Sequence, residues 1–226
     1  QFPYEIDKAI PEVVHRYFAA ALGFLAIMLV YFAFKYQLPK KIKAITSFLL
    51  FFICCQGLFG YLTVSLKLLP IIVTGHLFGG FFTLSLFFYL FLNTTNGIKN
   101  HNIKHLKVLG GVALFALIVQ IFLGVWTSTN YASLACADFP TCQGKFIPEM
   151  DFREGFNLAQ EVGPNYLFGL LDNEARVAIH YSHRISAIVL TIIFLILISR
   201  LWFSSAAPLA STLGVILITQ ISLGIM

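Results

Sequence analysis

Apolar residues crowd into six segments of the chain, 11–34, 44–66, 70–93, 107–127, 174–202 and 207–226, with polar and charged residues gathered between them. About 20 apolar residues at helical rise cross the hydrocarbon core of a bilayer, so each segment is long enough to span. Inside a bilayer no water satisfies the peptide groups, which leaves only helices or a closed barrel. The strict apolar–polar alternation of a barrel strand occurs nowhere in the chain. The pattern predicts an all-α membrane protein with six transmembrane helices.

Composition agrees: 58% of residues are hydrophobic, 11% are charged, and the mean hydropathy is +0.84. A soluble domain carries about a quarter charged residues. The few charges are sorted by side. Lys35, Lys40, Lys41 and Lys43 follow the first helix, Lys99, Lys104 and Lys107 follow the third, and Arg200 ends the fifth. Glu5, Asp7, Glu12, Asp138, Glu149, Asp151, Glu154, Glu161, Asp172 and Glu174 all fall on the other side of the alternating spans. The positive-inside bias then puts the N-terminus and the 128–173 loop outside and the lysine loops in the cytoplasm. The net charge of +5 is a topology signal and gives no reason to expect nucleic acid.

Against this background three histidines stand out. His15, His76 and His183 lie inside apolar runs, where an imidazole is expensive and marks a functional site. Pro11 suits the first turn of the first helix, which sets His15 about 6 Å inside it. Pro70 starts the third helix and sets His76 about 9 Å along; His183 lies about 14 Å past Glu174. All three are then near the outer leaflet. Gly75, Gly79 and Gly80 beside His76 leave room for a flat group. Paired imidazoles at one depth point to axial ligands of haem iron. For any one of them the alternative is an interhelical hydrogen bond.

Neighbouring residues extend the reading. Arg16 and Arg184 follow two of the histidines and suit haem propionates, or else snorkel to the interface. Glu12 shares a helix face with His15. It can accept a proton or stabilise developing positive charge, or serve as an acid favoured near a helix N-terminus. His180 is a partner behind His183 or an interface residue and is not assigned iron. His101 and His105 read as solvated. The segment 146–173 mixes aromatics with acids, as in Phe156-Asn157-Leu158 and Tyr166-Leu167-Phe168, and suits the membrane surface. Cys136 and Cys142 flank a turn-rich stretch in the outer loop, where they can meet and where disulfides persist. Cys54 and Cys55 sit mid-helix and pack.

Gln-x-x-x-Gly recurs at Gln56/Gly60, Gln120/Gly124 and Gln220/Gly224. The first copy follows His15 by 41 residues and the third follows His183 by 37. A first half of a repeat is therefore expected in helices one to three, and the start of a second in helices five and six. His76 lies 20 residues after Gln56, which puts a fourth histidine near position 240. The chain opens on Gln1, ends inside an apolar run at Met226 and shows no signal-peptide pattern. The expectation is a fragment of an eight-helix protein with two pseudo-symmetric four-helix bundles. Its parts are 1–93 (first-half helices), 94–127 (cytoplasmic loop and fourth helix), 128–173 (outer loop) and 174–226 (second-half helices).

Several blocks resemble the haem A synthase family. They are Glu12-Val13-Val14-His15-Arg16, Gln56 with Thr63-Val64-Ser65-Leu66-Lys67 and Thr74-Gly75-His76-Leu77, and Ala135 through Asp138-Phe139-Pro140-Thr141-Cys142-Gln143-Gly144. Gly163-Pro164-Asn165-Tyr166, Leu170-Leu171-Asp172 and His183-Arg184 complete the set, in family order and most like the proteobacterial and mitochondrial branch. Ala137 departs from the proline many members have there. The resemblance implies an enzyme of a bacterial inner membrane that oxidises a ring methyl of haem O to the formyl group of haem A for terminal oxidases. It implies substrate haem O on His15 and His76 with Arg16 nearby, Glu12 as the catalytic group, and haem b on His183 with Arg184. It also implies a Cys136–Cys142 disulfide, and as partners the bilayer, haem O synthase and an electron donor. A chain without the last span lacks the second haem b ligand and is expected to be inactive. The competing reading is a haem-b electron-transfer subunit without catalysis; a transporter would need a polar path at the midplane, which is lacking.

Overall fold

The computed structural model describes residues 6–94, 104–162 and 170–225. His101, Lys99, Glu5, Gly163-Pro164-Asn165-Tyr166 and Tyr166-Leu167-Phe168 lie outside these residues. The elements are α1 Ile6–Lys35, α2 Lys40–Ser65, α3 Pro70–Thr94, α4 Lys107–Thr129, the single turn α5 Phe152–Gly155, α6 Asn173–Trp202 and α7 Ala207–Ile225. Among the described residues six helices are long and apolar enough to cross a membrane, and they coincide with the six apolar segments. No strand forms there; one isolated bridge joins Cys142 and Lys145.

Two helix starts differ from expectation: α2 begins at Lys40, so Lys40, Lys41 and Lys43 lie in its first turn and not in the loop before it, and α1 begins early. α1 begins at Ile6, so Pro11 lies inside the helix and not in its first turn. The apolar span itself starts at Ile10, and His15 is about 7.5 Å into it. Without an N–H, Pro11 leaves the Asp7 carbonyl one turn earlier without its usual helical partner, a loss confined to the start of the helix.

Large apolar side chains such as Phe18, Phe24, Phe115 and Val108 are exposed. For helices that cross a bilayer this is the surface that meets lipid, so their stability does not depend on hiding it from water. The chain divides into two compact units, 1–66 with 75–98, and 67–74 with 99–226.

In the first unit α1 presents small residues to α2. Ala26 and Ala33 are buried, and a Cβ on Gly23 would lie 4.0 Å from the Ile53 side chain. Small residues let backbones approach where lipid supplies no hydrophobic drive. α2 meets α3 through rings: Phe52 and Phe48 stand edge-on to Phe82, with centroids 5.1 and 6.4 Å away.

In the second unit α4 packs along α6. Leu106, Ala113, Leu197 and Leu201 cluster with Ala206 and Ala210 at one end. Trp126, Ala132, Leu171, Ala175 and Ile179 cluster at the other. Here the loop folds onto the helix ends. The Trp126 indole donates to the Gly155 carbonyl at 2.8 Å, and Asp151 N–H donates to the Glu174 carbonyl at 3.1 Å. The Asp151 carboxylate caps α5 by accepting from Glu154 N–H. These bonds fix the loop against the first turns of α6, where His180, His183 and Arg184 lie.

Candidate functional site

In the first unit α1 and α3 bring His15 and His76 together, with ring centroids 6.3 Å apart and planes at 69°. Two imidazoles on one metal, each at the usual metal–nitrogen distance of about 2 Å, have centres roughly 6 Å apart. His15 is exposed, and His76 is half-buried with an Nδ1 that is fully enclosed and has no hydrogen-bond partner. Gly60 of α2 lies under the His76 ring: a Cβ there would be 3.3 Å from Cε1. The glycine is the cradle that lets α2 approach the imidazole.

Glu12 and Arg16 share the His15 end of α1. Arg16 donates to the Glu12 carboxylate at 2.6 Å, and both side chains are largely exposed. The arginine expected to meet a propionate thus holds the carboxylate one turn before it. Nothing of that pairing was visible in the residue types alone, although its i,i+4 spacing is the one that allows it.

In the second unit His183 of α6 rests on α4. A Cβ at Gly124 would be 3.3 Å from His183 Cε1, and the Gln120 amide nitrogen is 3.0 Å from His183 Nδ1. The Gln-x-x-x-Gly unit, read in the sequence only as a repeat, places its glycine against a histidine ring in both units.

Arg184 lies where the loop crosses α6. Its Nη1 donates to the Asp138 carbonyl at 2.7 Å and the Thr141 carbonyl at 3.1 Å, and its Nη2 to the Cys136 carbonyl at 2.5 Å. The guanidinium also stacks over the Phe139 ring and donates from Nε to His180 Nε2 at 3.2 Å. Most of its donors are therefore taken by the loop, neither free for a propionate nor snorkelling to water. His180 stands behind Arg184, accepting its Nε–H at Nε2, and its Nδ1 lies 3.3 Å from the Cys136 backbone nitrogen, which puts it against the loop.

The loop is closed by the Cys136–Cys142 disulfide, with Cα atoms 4.6 Å apart. Asp138 organises its interior, accepting from the Thr141 hydroxyl, Gly144 N–H at 3.0 Å and Gln143 N–H at 2.7 Å. These bonds, the Thr141 hydroxyl first, hold the Asp138 carboxyl down at about 2. Cys54 and Cys55 remain free thiols. His105 is exposed, as expected for a solvated loop residue.

The donor set decides which metal fits. Among the described residues no group of three or more His, Cys, Asp or Glu is placed to hold a bare ion. Two imidazoles suit an iron that brings its equatorial ligands with it, as in haem. The enclosed Nδ1 of His76 and the glycine cradles at 60 and 124 fit the same group.

The COX15-CtaA family, cytochrome oxidase assembly proteins, matches residues 3–226. The chain is 40% identical to the haem A synthase of Shewanella oneidensis over 225 residues, covering 98% of this chain and 68% of that protein. It is 27% identical to the haem A synthase of Rickettsia felis over 95% of this chain and 64% of that one. It is 29% identical to that of Neorickettsia sennetsu over 82% and 54%. The chain thus spans about two thirds or less of the relatives' length. No solved structure matches it.

Proposed function

The chain belongs to the haem A synthase family of cytochrome oxidase assembly proteins, and from that premise we propose that it handles haem in the conversion of haem O to haem A. The reaction oxidises a ring methyl to a formyl group, and haem O is the substrate. The observation that carries this reading is the His15–His76 pair, 6.3 Å apart at the end of a membrane unit, with Glu12 one turn before His15.

His15 and His76 hold the substrate through its iron and fix the ring against the helices. Glu12, three residues from His15, is the group that takes up a proton or balances positive charge as the methyl is oxidised. Arg16 holds the Glu12 carboxylate in place through its 2.6 Å hydrogen bond. His183 would hold a second, resident haem b. When bound, that group supplies one-electron transfer. Arg184 keeps the disulfide loop over this end of α6. The charge distribution orients the protein in the cytoplasmic membrane with the lysine turns inside and the disulfide loop outside.

The test is pigment analysis of the protein co-expressed with a source of haem O, by pyridine haemochrome and mass spectrometry. Haem b together with haem O or haem A is the expected result. Haem b alone would assign the chain to electron transfer without catalysis.

A further inference from the structure

An imidazole that binds iron through one nitrogen keeps its proton on the other, and that N–H needs an acceptor to fix tautomer and ring direction. Within a bilayer the acceptor must come from the protein, either a carbonyl of the histidine's own helix or a group on a neighbouring span.

Gln120 lies where such an acceptor belongs. Its amide nitrogen is 3.0 Å from His183 Nδ1, 3.5 Å from Nε2 and 3.4 Å from the His183 carbonyl. Its Oε1 is buried and has no partner. In the first unit the same pieces recur. Gln56 Oε1 and His76 Nδ1 are both buried without a partner. The Gln56 carboxamide occupies the hollow at Gly79, one turn after His76: a Cβ at Gly79 would fall 1.7 Å from Gln56 Nε2. In each unit a glycine lies under the imidazole, and one turn earlier a glutamine presents an unsatisfied carbonyl oxygen.

We propose that Gln120 and Gln56 are positioning residues for His183 and His76, each accepting the Nδ1–H so that Nε2 keeps its lone pair for iron. As an N–H donor to Nδ1 the Gln120 amide would hold the ring proton on Nε2, the nitrogen that iron needs bare. Turning the amide over about its last side-chain bond puts Oε1 on Nδ1–H and reverses the assignment. The glutamine thereby selects the ligating tautomer and, by pulling on its proton, makes the imidazole a stronger donor to iron. The inference rests on the ligand reading above. The rival role for a buried carboxamide is helix–helix adhesion.

The experiment uses the detergent-extracted holoprotein and compares Gln120→Leu, Gln120→Glu, Gln56→Leu and Gly79→Ala. The readouts are haem retention during competition with apomyoglobin, and redox titration of each haem. Gln120→Leu should weaken haem retention by about 10–100-fold and raise the potential. Gln120→Glu, a stronger acceptor, should retain haem and lower the potential. Gly79→Ala should reproduce Gln56→Leu, because the three atoms nearest the added methyl all belong to the Gln56 carboxamide, which it displaces. Should Gln120→Leu fail to fold, the glutamate and Gly79→Ala variants decide alone. Leu and Glu variants that move the potential in the same direction, or not at all, overturn the positioning role while leaving the ligands intact. A wild-type protein with no histidine-ligated haem overturns both readings.

Discussion

Arg184 Nη2 donates to the Cys136 carbonyl at 2.5 Å, so the residue next to the proposed haem b ligand His183 is built into the disulfide loop. The same guanidinium reaches the Asp138 and Thr141 carbonyls, and together these bonds join the loop to α6 as one body. A planar fork that serves three carbonyls from two nitrogens has no equivalent in lysine, whose three donors share one nitrogen and cannot span the same spread of acceptors.

Arg184→Lys should therefore behave almost like Arg184→Ala. A charged hydrogen bond contributes about 1.5–3 kcal/mol, and losing most of three should free the loop from α6. The measurement is the rate at which a water-soluble thiol reduces Cys136–Cys142, expected to rise about tenfold or more in both variants. A lysine variant as protected as the wild type would show that one contact suffices.

Asp138 gives the loop its pH dependence. Its carboxyl is held at about 2 against an ordinary 3.8, chiefly by the Thr141 hydroxyl. A group depressed on folding stabilises above its unfolded pKa, and that contribution is lost as pH falls through the folded one. Loop order should be constant above about pH 4 and decline between about pH 4 and pH 2. Hydrogen exchange at the Gln143 and Gly144 amides follows this directly. Asp138→Asn should abolish the pH step, and a step that persists in that variant would assign it to another group.

The spans were legible because a bilayer converts hydrophobic run length into helix almost without competition. Pro70 sits at its helix start as expected, and Pro11 misled, since α1 runs back past it to Ile6. His15 and His76 were legible for the same reason: polarity inside an apolar run is rare enough to stand out. What Arg16 and Arg184 touch was not legible. A guanidinium has many acceptable acceptors, and only the fold shows that Glu12 and the loop carbonyls claim them. The Gln-x-x-x-Gly repeat was seen, but its relation to the histidine rings depends on which helices pack. That depends on long-range pairing that no local pattern carries.

Gly155 is a point of close backbone approach between loop and helix. Its Cβ position lies 2.7 Å from the Ala175 carbonyl oxygen, which is backbone and cannot step aside. Gly155→Ala should cost about 1–3 kcal/mol and separate α5 from α6. Lost quenching of the Trp126 fluorescence would report it, since the indole is bonded to the Gly155 carbonyl. An alanine variant with unchanged fluorescence and melting temperature would mean that the α5 turn can shift as a unit.

The last prediction separates binding from chemistry in the first unit. His76 is proposed to hold the substrate, so His76→Ala should lower the content of haem O and haem A while leaving haem b. Glu12 is three residues from His15 and is not proposed as an iron ligand. Glu12→Ala should keep the bound pigment and lose conversion of haem O by about 10²–10⁴-fold, the usual contribution of a positioned proton-transfer group. Arg16→Ala should fall between the two, since it leaves the carboxylate present but removes the 2.6 Å bond that fixes it. The ratio of haem O to haem A in the purified variants, read by mass spectrometry, reports all three. Full conversion by Glu12→Ala would remove that residue from the reaction and reduce its pairing with Arg16 to an exposed ion pair of little consequence.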